Sequence, residues 1–196
     1  MKKRVFIVHG WEGHTEEHWF PWLKKELETK EFEVFIPQLP DTDNPRIDNW
    51  IPKLSQVVGL ADENTYFVGH SMGCQAIIRY LETLPEGVKV GGAVFVAGFL
   101  KRVNTSKYNQ KIQEMFKHWL VDNPINFKKV RSHLSQSAAI FSDNDKWVPL
   151  DNQDDFRDQL GSEIVIEHQK GHFCESDGVI KLLVVLEGVL NFAKKS

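Results

Sequence analysis

Ser71 stands in GHSMG, Gly69 to Gly73, between an apolar run, TYFVG (65–69), and a helix-like run, SMGCQAIIRYLETL (71–84). A hydroxyl with glycine two places before and two places after it is the G-x-S-x-G pattern of a nucleophile presented on a sharp strand-to-helix turn. The turn forces a strained backbone conformation on the serine, at a cost of about 1–3 kcal/mol. Its neighbours two places away come so close that a side chain would clash, and glycine removes the clash. The helix N-terminus then offers backbone N–H groups to a developing negative charge. The chemistry implied is acyl transfer through a serine hydroxyl.

Such a hydroxyl is a poor nucleophile without a base. The pattern predicts partners in the order serine, then aspartate or glutamate, then histidine. The loops DNDKWVP (143–149) and HQKGHFCES (168–176) supply them. Asp143, Asp145 and Asp151 are the candidate acids, and His168 and His172 the candidate bases. Asp145 is favoured because it sits mid-loop before Trp147-Val148-Pro149, whereas Asp143 suits a turn capped through its own backbone. His172 is favoured because Gly171 frees its loop, whereas His168 directly follows a strand-like run. The oxyanion donors are expected to be the backbone N–H of Met72, after the nucleophile, and that of Trp11 in HGWEGH (9–14), where Gly10 lets the backbone approach.

These residues need a frame that holds distant loops at one edge. RVFIVH (4–9), EVFIP (33–37), TYFVG (65–69), AVFVAG (93–98), AAIFS (138–142) and EIVIE (163–167) read as strands, several of them continuous enough to be buried on both faces. Helical patterns lie between them. EEHWFPWLKKELETK (16–30) sets Trp19, Leu23 and Leu27 on one face with Pro21 near the first turn. IDNWIPKLSQVV (47–58), residues 71–84, LDNQDDFRDQL (150–160) and 176–195 complete the set. Strand–helix alternation predicts an α/β fold: a mainly parallel six-stranded sheet with helices on both faces, in one domain over 1–196. Residues 99–137 break the rhythm. They are expected to hold two helices, SKYNQKIQEMFKHWL and a shorter one after Pro124, as a small cap or a crossover. In a parallel sheet the site lies at the carboxyl ends of the strands, where GHSMG falls.

A net charge of −3 provides no basic face for nucleic acid and no polybasic membrane anchor. No run of 18 apolar residues is present. The apolar stretch in MKKRVFIVHGW, Val5 to Val8, is shorter than a signal peptide requires, so a cytoplasmic protein is expected. Cys74 and Cys174 make no disulfide framework. HTEEH, His14 to His18, matches an inverted zinc-protease signature. The competing account places Thr15 near a helix N-cap, with Glu16 and Glu17 in its first turn, and no third ligand follows on a second helix. No metal and no cofactor is expected. Cys174 lies two residues from His172, but no elbow presents its thiol. The aromatic residues of 99–137, Phe116 and Trp119 among them, and Trp147 at the catalytic edge are candidates for an apolar substrate pocket. A small ester is the expected substrate and a short amide the next.

IVHGWEG with HWFPWLKKEL, FVGHSMGCQAI, FSDNDKWVP and GHF occur in one order across nearly the whole chain. Together they resemble the small α/β-hydrolases grouped with retinoblastoma-binding protein 9 and its bacterial, YdeN-like relatives. The resemblance implies a minimal α/β-hydrolase fold without the two N-terminal antiparallel strands, and a serine hydrolase triad falling on Ser71, Asp145 and His172. It implies no metal cofactor, and activity on esters and on amide or peptide-like bonds. The L-x-C-x-E motif of the retinoblastoma-binding member is missing, because neither cysteine has leucine two places before it, so that partner is not expected. The remaining alternative is a catalytically idle binding or interaction protein on the same scaffold.

Overall fold

The computed structural model describes residues 2–195. Its strands are β1 (Arg4–Val8), β2 (Glu33–Phe35), β3 (Thr65–His70), β4 (Gly92–Val96), β5 (Ser137–Ser142) and β6 (Glu163–Glu167). They form one sheet in the order β2-β1-β3-β4-β5-β6, with every pair parallel. The chain leaves β1 toward β2 on one side and returns to place β3 on the other. The loops after β1 and β3 therefore diverge, and a crevice opens at the carboxyl edge between them.

Side chains alternate across the sheet, as the pleat requires. Phe6, Val8, Phe67, Phe95 and Phe141 join one apolar cluster, and Val5, Ile7, Val68, Val94 and Ile140 join the other. Helices α2 (Ile47–Val58), α3 (Met72–Thr83) and α6 (Asn152–Leu160) cover the first face through Trp50, Leu54, Ile77, Leu81 and Phe156. Helices α1 (Phe20–Glu28) and α7 (Leu183–Lys195) cover the second through Leu23, Leu27, Val185 and Val189. Strands β3, β4 and β5 are buried at every residue, whereas the edge strand β6 is only half-buried. That explains why the inner strands read as continuous apolar runs. Phe67 is wholly buried between Phe6 and Tyr80, and Phe67→Ala would cost about 3–5 kcal/mol.

Two boundaries differ from the sequence pattern. Helix α1 begins at Phe20 instead of residue 16, with Trp19 as its N-cap. His18 lies at φ 54°, in the left-handed region that interrupts a right-handed helix, so His14 and His18 do not share a helical face. The last helix begins at Leu183, preceded by a single 3-10 turn at Glu175–Asp177 and a left-handed Gly178.

Between β4 and β5 lie α4 (Gln110–Lys117), a π turn (His118–Asp122) and α5 (Phe127–His133). Helix α4 starts at Gln110, later than the pattern from Ser106 suggests, because the Asn109 side chain accepts from Ile112 N–H at 3.1 Å and caps it there. The π turn is tied to the serine helix: Arg79 on α3 donates to the carbonyls of Trp119 and Asn123. Among the described residues, no helix is long and apolar enough to cross a membrane.

Candidate active site

Ser71 joins β3 to α3 at φ 52° and ψ −117°, a conformation disfavoured for any residue but glycine. The turn is enforced on both sides. A Cβ at Gly73 would lie 2.1 Å from the Val8 carbonyl oxygen, and one at Gly69 would lie 2.8 Å from Cys74 N. Only glycine allows α3 to start this close to β1. Ser71 N–H donates to Val96 O at 2.9 Å, which anchors the turn to β4.

The candidate acid and base come from the ends of β5 and β6. Asp145 Oδ2 accepts from His172 Nδ1 at 2.7 Å. Asp145 Oδ1 accepts from Trp147 N–H at 2.8 Å and Val148 N–H at 3.1 Å. A carboxylate used only as an acceptor requires the proton on Nδ1 of His172, which leaves Nε2 as the free acceptor. The Asp145 side chain is 2% exposed and that of His172 12%. The backbone of His172 is held as well. Its N–H donates to Asp177 Oδ2 at 2.8 Å, and Gly171 N–H donates to Asn144 Oδ1 at 2.8 Å. His70 Nε2 donates to the His172 carbonyl at 2.8 Å.

The other candidates are elsewhere. Asp143 and His168 pair with each other at 2.6 Å on the exposed rim. Asp151 takes Arg102 Nη2 at 2.7 Å. Met72 opens α3, so its N–H has no acceptor within the helix. Gly10 brings the loop after β1 against this turn: a Cβ there would lie 3.2 Å from Ser71 Cβ and 3.8 Å from Met72 N. The loop is set by the wholly buried His9, whose Nε2 accepts from Leu39 N–H at 3.0 Å, so that Nδ1 carries the proton and donates to Gly10 O at 2.9 Å. Trp11 N–H makes no backbone hydrogen bond among the described residues.

Ser71 and His172 line one cavity of about 280 Å³, together with Gly10 and Trp11. Trp147 and Phe116 wall it, joined by Phe99, Val103, Tyr108 and Val148. Trp119 does not reach it. That side chain is wholly buried, crosses Trp50 at 5.7 Å and donates Nε1 to Pro45 O at 2.9 Å. Helical spacing predicts which residues turn inward, but not whether inward means core or cavity.

Two further histidines stand at the site, neither of them expected there from the sequence. His70, the residue before Ser71, and His18 pack beside His172, with His70 ring centroids 5.0 Å from His172 and 5.3 Å from His18. Burial, and then the neighbouring His172, pushes His70 well below the usual imidazole range and His18 down to about 4. His18 Nδ1 accepts from Glu175 N–H at 3.1 Å. Both rings therefore brace the His172 loop in neutral form. The position of His70 inside GHSMG was the available signal; His18 had none, because its contact spans 157 residues. Cys174 lies in the cavity, but burial raises its thiol to about 12, and its sulfur approaches the His172 carbonyl at 3.7 Å and not the ring. That leaves it a poor nucleophile. His14 and His18 flank Glu17 at 3.9 and 3.7 Å, and no group of three or more metal-ligating side chains is arranged around an ion site among the described residues.

The sequence is 33% identical over its whole length to YdeN of Bacillus subtilis (strain 168), a hydrolase by name, and covers 98% of that protein. The crystal structure of the B. subtilis ydeN gene product matches with a TM-score of 0.89 and 31% identity, over 98% of this chain and 99% of that one. RBBP9, a serine hydrolase of Rattus norvegicus, is 24% identical over 177 residues, 89% of either chain. Est1E from Butyrivibrio proteoclasticus shares the fold at a TM-score of 0.73 and 14% identity, over 98% of this chain and 89% of that one. The parallel sheet and its helices are an α/β-hydrolase fold. The model of the serine hydrolase family matches residues 5–186, and the chain belongs to that family.

Proposed function

We propose that this hydrolase cleaves small carboxylic esters, and short amides more slowly, through an acyl-enzyme on Ser71. The observation that carries the reading is the buried 2.7 Å contact between Asp145 and His172, in a cavity that His172 shares with Ser71. His172 Nε2 takes the Ser71 proton as Oγ bonds to the substrate carbonyl carbon. The carbonyl π electrons move to oxygen, and the N–H groups of Met72 and Trp11 stabilise the oxyanion. Each such donor contributes about 10²–10³ in rate. Collapse expels the alcohol, which receives the proton from His172. Water, deprotonated by His172, then attacks the acyl carbonyl, and the proton returns to Ser71 as the acid leaves. Asp145 keeps the ring in the right tautomer and stabilises its cation.

The cavity, about 280 Å³, lies at the small end of ligand pockets, which span about 300–1,000 Å³. Its aromatic wall favours compact acyl or alcohol groups over long chains. The free thiols Cys74 and Cys174 suit a reducing compartment, and a cytoplasmic location belongs to this reading.

Hydrolysis of 4-nitrophenyl esters from acetate to decanoate tests the reading. The expected result is highest kcat/KM at the short end, with Ser71→Ala lowering kcat by about 10³ or more. Equal rates for Ser71→Ala and the wild-type protein would overturn it.

A further inference from the structure

The cavity beside Ser71 is charged in one sense only. Glu12 and Glu17 line it, and among the described residues no lysine or arginine does. The imidazoles His18 and His70 are held neutral by burial. Glu17 is nine-tenths buried, 9% exposed. A carboxylate offers about four acceptor sites, and among the described residues it is the backbone of His14 that favours its charged form. The nearest imidazole nitrogens stand at 3.7 and 3.9 Å, beyond hydrogen-bond reach. Burial raises its carboxyl above the ordinary range. A buried carboxylate without a cation is costly, and a ligand that brings the cation removes that cost.

The opposite wall points the same way. Tyr108 stacks on Trp147 at 5.4 Å with the planes 22° apart, and meets Trp11 edge-on at 5.2 Å. After burial, the charge of Glu12 is what raises the Tyr108 hydroxyl, so a carboxylate and an aromatic wall act on the same space. Aromatic faces beside carboxylates attract a desolvated positive nitrogen. An anionic substrate meets repulsion from both glutamates.

We propose that this cavity takes esters or amides bearing an ammonium group, held between Glu17 and Glu12 and the aromatic faces of Trp11, Tyr108 and Trp147. The inference deepens the acyl-transfer reading and rests on it for the orientation of the scissile bond, but ammonium binding itself needs no turnover.

The test uses two molecules of one shape, 2-(trimethylammonio)ethyl acetate and its uncharged carbon isostere 3,3-dimethylbutyl acetate, at pH 8 and low salt. The readout is the ratio of their kcat/KM values, which is independent of the absolute rate of any variant. A ratio of about ten or more for the cation, expressed in KM, is expected. It should fall toward one in Glu17→Gln, fall in part in Glu12→Gln, and shrink in 0.5 M salt. A ratio at or below one in the wild-type protein, or an unchanged ratio in both variants, would overturn the proposal. Binding of the two product alcohols, followed by tryptophan fluorescence, separates this from the chemistry at Ser71. Tighter binding of the ammonium alcohol, lost in Glu17→Gln, sustains the subsite even if neither ester turns over, and equal binding rejects it even if both do.

Discussion

Two aspartate–histidine pairs leave the same edge of the sheet, bridging the same two loops. Asp143 meets His168 at 2.6 Å and Asp145 meets His172 at 2.7 Å. By distance alone they are equivalent. By environment they are opposites: the side chains of the first pair are 37% and 81% exposed, and those of the second 2% and 12%. In water, a contact of this kind contributes little and fixes little. In a dry site the same contact is stronger and holds a ring in one tautomer and one direction. The second pair also has its backbone clamped by Asn144, Asp177 and His70, and its histidine lines the cavity that contains Ser71. A short contact is therefore not enough to mark a candidate catalytic pair; burial, bracing and a shared cavity distinguish one from the other.

The comparison breaks most sharply at the acids. Asp145→Asn should lower kcat by about 10³–10⁴ through the wrong His172 tautomer, with circular dichroism unchanged. Asp143→Asn should change kcat less than about twofold. Similar losses for both would erase the distinction between the two pairs.

Acid separates the buried rings from the exposed pair next. His18 titrates near 4 in the folded chain against an ordinary value of 6.5, and His9 and His70 are also lowered by burial. Between those limits the unfolded chain binds protons that the folded chain does not, so stability is complete above about pH 6.5 and falls as pH drops below it. Each such ring contributes up to about 1.4 kcal/mol per pH unit. Urea midpoints should be level from pH 8 to 7 and decline steadily from 6.5 to 5. A midpoint rising toward pH 5 would contradict the neutral assignment of His18 and His70.

A smaller effect is expected from the bracing. Asn144→Ala frees Gly171 and should reduce kcat about tenfold with KM nearly unchanged, because His172 loses its position and not its chemistry. The smallest belongs to the exposed ring. His168→Ala should shift stability by less than about 0.5 kcal/mol in chemical unfolding and leave turnover intact.

The sheet was legible because four inner strands carry continuous apolar runs and each is punctuated by a helix pattern. The edges were less so. Strand β2 has three residues, and helix α1 starts late because of the backbone at His18, which no periodicity signals. At the candidate site, GHSMG and the order serine, aspartate, histidine were readable because the elbow needs its glycines beside one hydroxyl. Asp145 could be separated from Asp143 only by its place in the loop; the burial that distinguishes them is a tertiary property. Trp119 shows the same limit, since its spacing is that of Phe116 while its ring lies in the core against Trp50. In the sequence, His18 belongs to a metal-like signature and Glu17 suits the first turn of a helix, because the sequence alone does not reveal a cavity.

The most direct test of the central claim is the mass of the intact chain after reaction with a fluorophosphonate. The account predicts one adduct, mapped to Ser71, absent from Ser71→Ala and slowed in Asp145→Asn but not in Asp143→Asn. No adduct on the wild-type protein, or an adduct that survives in Ser71→Ala, would contradict it.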